Sequence, residues 1–161
     1  SDLIVGIAMI ILSVACAAAY SVILVAIWKD KEMISLPSYK FMFVLGLCDV
    51  AQCFPHAVTG IFTIYQSTGP WWLNKLMGVC ISPFYQGYSI LTVMLSVNRF
   101  IQLASTRWEQ TMFSPNATKV WIGVACGVML VYIIALASPW ATMRYIPEFY
   151  QLNLYATINM T

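Results

Sequence analysis

Asp49, Gln52, His56, Thr59 and Thr63 recur every three or four residues in a segment that is otherwise apolar, so on a helix they share one face. Ser82, Gln86, Ser89, Thr92, Ser96 and Arg99 repeat at the same spacing further on, with Tyr85 and Tyr88 beside them. A carboxylate and an imidazole on one face could move a proton, but enzymatic chemistry also needs a convergent nucleophile and base or a metal cluster. His56, as a single histidine, lacks the second ligand that a metal site requires. The pattern therefore predicts no catalysis, no metal and no cofactor. It predicts hydrogen bonding inside a greasy environment, with one cation, Arg99, that has no acid near it in sequence.

The elements that must position these groups follow from composition. The 161 residues are 61% hydrophobic and 9% charged, with a mean hydropathy of +0.79, far from the roughly one-quarter charged residues of a soluble domain. The chain reads as one polytopic membrane domain, residues 1–161, of all-α class. Spans are expected at about 3–28, 41–65, 76–103 and 120–143, each meeting the roughly 20 residues a bilayer core demands, with an outer tail at 144–161. The first and last spans contain no Asp, Glu, Lys or Arg. The first is too long for a signal-peptide core and reads as a retained helix; no methionine starts the chain, which implies removal of something upstream. The net charge of +2 and its dispersed basic residues predict no nucleic-acid partner. Cys16, Cys48, Cys53 and Cys126 lie in apolar runs and read as small core residues rather than a disulfide framework.

Tryptophans mark the span ends. Trp28, Trp71, Trp72, Trp121 and Trp140 lie at or near a boundary and Trp108 in a connection, as indole's interfacial preference requires. Lys29, Lys31, Lys40, Arg99, Arg107 and Lys119 fall on one side, against Lys75 and Arg144 on the other. The positive-inside bias then puts the N-terminus and the tail outside. Counting depth along each helix places His56, Thr59, Tyr85 and Gln86 in the outer half, Asp49 and Ser96 in the inner half, and Arg99 at the cytosolic mouth. The two polar faces are expected to meet, with Ser89 or Ser96 supplying hydrogen bonds to Asp49. An intramembrane carboxylate facing lipid costs several kcal/mol, at order of magnitude. Pro55 is expected to kink its helix, and Gly123 and Gly127 to form a small-residue face for close packing.

An acid in "LGLCDVAQ" followed by "LSVNRF" at the inner end of the next long span resembles the signature of rhodopsin-like G-protein-coupled receptors. "LPSYKFMFVLGLCDVAQ", "WLNKLMG", "LTVMLSVNRFIQL" and "SPWATMRYIPEFY", in that order, resemble nematode serpentine receptors of class T more closely. The resemblance runs from about residue 36 to 150. It implies a chemosensory receptor of which this chain carries the first four of seven helices. It further implies a switch at Asn98, Arg99 and Phe100 that couples to a heterotrimeric G protein, and an inner polar core of Asp49, Ser89 and Ser96. An unidentified small-molecule or peptide ligand would meet His56, Thr59, Tyr85, Gln86 and Tyr88. Asn98 stands where the rhodopsin-like signature has an acid, so Arg99 has no adjacent ion-pair partner. Residue patterning alone leaves open a small transporter or channel subunit, or a four-span membrane scaffold.

Overall fold

The computed structural model describes residues 2–67, 69–138, 141–146 and 151–156. Its body is an all-helical bundle. Helix α1 (Asp2–Lys29) ends at a short α2 (Lys31–Ser35), whose N-cap Asp30 accepts from the backbone N–H of Glu32 at 2.9 Å and of Met33 at 3.1 Å. Helix α3 (Pro37–Tyr65) starts with Pro37 in its first turn, where a missing N–H costs nothing, and stops at Gln66 in the left-handed conformation. Helix α4 (Trp71–Ala104) follows Pro70, α5 (Thr106–Met112) forms the connection to the next helix, and α6 (Pro115–Ala137) is capped by Ser114 Oγ, which accepts from Ala117 N at 3.3 Å.

Helices α1, α3 and α6 are long and apolar enough to cross a membrane. Helix α4 has the length, 34 residues or about 51 Å, but Gln86 and its serines and threonines dilute its hydropathy below the other three. It begins five residues earlier than expected because "WWLNK" continues the helix after Pro70.

The last span stops short of expectation. Residues 138–143 were expected to be helical, but Ser138 is extended, with φ −61° and ψ 154°. The cause is local: Pro139 follows, and a proline disfavours helical backbone in the residue before it. Beyond it, β1 (Ala141–Ile146) and β2 (Gln151–Ala156) pair antiparallel, Ala141 opposite Ala156 and Ile146 opposite Gln151. The expected tail thus begins with a hairpin, and β1 packs against α4 and α6.

Helix α1 lies along α3, and α4 sits between α3 and α6. In a bilayer, apolar burial against lipid gains little, so close van der Waals packing must hold helices together. Gly6 and Gly60 supply it for the first pair. A Cβ on Gly6 would stand 2.6 Å from Gly60 O, and one on Gly60 would stand 2.9 Å from Ile10 Cγ1. At the α4–α6 contact, Gly87 makes room for Met129. At Gly123 and Gly127, where a packing face is expected, no described residue lies within 4 Å of a Cβ. Small residues permit close approach, but only a neighbour at the right height makes one.

The main core joins three helices and a corner. Phe41, Leu45 and Cys48 of α3 meet Leu91 of α4, Ala125 of α6 and Phe113 of the α5–α6 turn. Phe41 and Phe113 meet edge to face, 6.0 Å apart at 82°. Trp121 Nε1 donates to Met112 O at 3.2 Å and Thr118 Oγ1 to Phe113 O at 3.2 Å, which fixes the same turn. At the opposite end of the bundle, Lys75 Nζ donates to Ser138 O at 2.9 Å and lies 5.2 Å from the Trp71 ring centroid. That cation sits at the negative end of the α6 dipole and ties α4 to it.

Candidate functional site

The inner end of α4 separates three consecutive side chains. Asn98 is fully buried, whereas Arg99 and Phe100 are exposed. Ser38, in the first turn of α3 and 2% exposed, donates Oγ to Asn98 Oδ1 at 2.5 Å. Its Oγ also stands 3.5 Å from Gln102 Oε1, and Gln102 Nε2 donates to Glu109 Oε1 of α5 at 2.7 Å. A polar chain therefore runs from the α4–α6 connection through α4 to the start of α3. Asn98 Nδ2 is buried with no hydrogen-bond partner among the described residues. Arg99 directs Nη2 to Met42 Sδ at 3.9 Å, and no carboxylate among the described residues pairs with it. Its guanidinium stays available at the mouth.

Deeper in the bundle, Asp49 lies half-buried between α1 and α4. Tyr20 of α1 stands beside it on the same cavity wall. Tyr20, Leu24, Met42, Gly46, Asp49 and Tyr88 line a cavity of about 190 Å³ there. Sequence reasoning missed Tyr20. The available signal was a phenol in the middle of a span without charge, since a buried tyrosine hydroxyl usually finds a partner.

Ser89 and Ser96 do not reach Asp49. Ser89 Oγ donates to Tyr85 O at 3.0 Å and Ser96 Oγ to Thr92 O at 2.9 Å, each within α4. Thr59 Oγ1 donates to His56 O at 2.9 Å and Thr63 Oγ1 to Thr59 O at 2.9 Å, each within α3. A hydroxyl that bonds its own helix backbone needs no facing helix. The two polar stripes consequently do not interlock, which corrects that part of the expectation.

The outer group is dispersed for the same reason. Thr59 is buried, Tyr85 is 60% exposed, Gln86 and Tyr88 are half-buried, and only Tyr88 reaches the cavity beside Asp49. His56 is exposed and lines a different cleft, between α1 and α3, with Met9, Leu12, Ser13, Cys16 and Cys53. That cleft measures about 260 Å³. Pro55, buried beside it, interrupts the α3 hydrogen-bond ladder at this level. Among the described residues no group of three or more His, Cys, Asp or Glu side chains could hold a metal ion.

No curated protein matches the chain. The family model described as serpentine type 7TM GPCR chemoreceptor Srt matches residues 1–148. That match takes in all six helices and both motif-bearing ends of α3 and α4, and the family is one of chemosensory membrane receptors rather than enzymes. This multi-pass membrane chain therefore belongs to the Srt family of serpentine seven-transmembrane chemoreceptors.

Proposed function

We propose that the chain forms the first four membrane-spanning helices, α1, α3, α4 and α6, of a chemosensory receptor in the plasma membrane. Its N-terminus lies outside, it takes a small-molecule or peptide ligand from the outer half, and it couples to a heterotrimeric G protein at the inner mouth. The observation that carries this reading is the split between Asn98 and its two successors: Ser38 holds Asn98 in the bundle while Arg99 and Phe100 project. An anchored helix end that presents an uncommitted guanidinium can exchange partners between two states, and such exchange biases a bistable bundle. Asp49, which shares a cavity with Tyr20 and Tyr88, and the outer residues His56, Tyr85 and Gln86 are the polar groups through which an outer ligand would act on that end.

Arg99→Lys in the full-length receptor tests the switch. Lysine keeps the charge but loses the planar, multidentate fork. The expected result is normal surface expression with most G-protein activation lost. Equal activation by wild type and variant at matched surface levels reduces Arg99 to a charge that anchors the helix among the headgroups.

A further inference from the structure

We propose that the cleft between α1 and α3 is a binding site for a small neutral molecule with an apolar body and one hydrogen-bonding group. This deepens the receptor reading by giving its ligand a place and a chemistry.

The cleft has a structural cause. Gly6 and Gly60 bring the two helices into near-backbone contact at one end, and Leu24 lies against Gly46 at the other. Between these contacts Pro55 removes a backbone donor from α3, and the wall loosens there. The resulting space of about 260 Å³ lies below the roughly 300–1,000 Å³ of drug-sized ligand sites, so its occupant is small. Its walls exclude charge. Met9, Leu12, Cys16 and Cys53 offer methylene and polarisable sulfur, and Ser13 Oγ is already committed to Met9 O at 2.8 Å. His56 contributes the exposed imidazole, which can donate or accept one hydrogen bond. An apolar pocket with one polar group at its edge orients a ligand by that group and binds it by its body. An ionised ligand would find no countercharge among these six side chains and would bear its full desolvation cost.

Photolabelling in bilayer nanodiscs tests the site without relying on signalling. The probe is a trifluoromethyl-diazirinyl benzyl alcohol, compared with the analogue lacking the hydroxymethyl group at equal mole fraction in the membrane. Adducts on Met9, Cys16, Cys53 or His56 should be saturable and competed by excess benzyl alcohol. Adducts on exposed α6 residues such as Val131 should be neither. The hydroxyl-bearing probe should label the cleft about three- to tenfold better than its analogue, the worth of one net hydrogen bond. His56→Leu should remove that preference, and Ser13→Phe should remove the saturable component by filling the space. Labelling of α1 and α3 that benzyl alcohol does not compete overturns the site even if Ser13→Phe proves unfoldable, because the unaltered chain gives that answer alone. Competition that persists in a well-folded Ser13→Phe variant overturns it as well. Either outcome is separate from the Arg99 test, which reads G-protein activation and not occupancy.

Discussion

Ser38 Oγ donates to Asn98 Oδ1 at 2.5 Å, bridging the first turn of α3 and the inner end of α4 across sixty residues of sequence. Both residues are at most 2% exposed, so water cannot replace the bond. The pair fixes the rotation of α4 at the level where Arg99 emerges.

Ser38→Ala should therefore destabilise the bundle by about 1–3 kcal/mol, because it leaves a buried amide oxygen without its donor. Asn98→Asp should keep the Ser38 bond and also offer Arg99 an adjacent acid. In the full-length receptor it is expected to lower ligand-independent activity. Equilibrium unfolding in detergent reads the first effect and basal G-protein activation the second.

Gly6→Leu should separate α1 from α3. Overpacking a tight contact typically costs about 1–3 kcal/mol, and here the added atoms meet Gly60 O and Ile64. Gly123→Leu, with nothing within 4 Å of its Cβ, should be close to silent. Thermal unfolding of both variants, measured side by side, checks the contrast.

Asp49 shares its cavity with Tyr20 of α1 and Tyr88 of α4. Asp49→Leu should insert into membranes at least as well as wild type, since an acid in a span is costly. Its effect should appear as impaired signalling of the complete receptor. Normal signalling by that variant would leave Asp49 without a functional role.

Orientation can be read from glycosylation. Asn116-Ala117-Thr118 is a sequon by composition, but it lies in the first turn of α6 with the Thr118 hydroxyl buried and bonded to Phe113 O. The second sequon, at Asn159, lies outside the described residues. In microsomes, a chain extended at its C-terminus should gain a glycan at Asn159 and none at Asn116. A glycan at Asn116 would reverse the orientation proposed here.

The sequence by itself determined the class of this protein. Apolar runs of bilayer length, Trp at their ends, Pro37 and Pro115 at helix starts and the motif around Asn98-Arg99-Phe100 are all local or short-range features. They suffice for a helical membrane bundle and for the family. Even the early end of α6 has a local signal at Ser138-Pro139, where the proline opposes continuing hydropathy. What only the tertiary structure decided is which faces meet. A stripe of hydroxyls marks one side of a helix, but Ser89, Ser96 and Thr59 satisfy themselves on their own backbones and so demand no partner. Gly6 and Gly60 became an interface and Gly123 and Gly127 did not, because close approach depends on the height and angle of a second helix. Ser38 found Asn98, and Asp49 came to share a cavity with Tyr20, for the same reason: periodicity gives the direction of a side chain about its own axis, and only the packed bundle supplies what stands opposite.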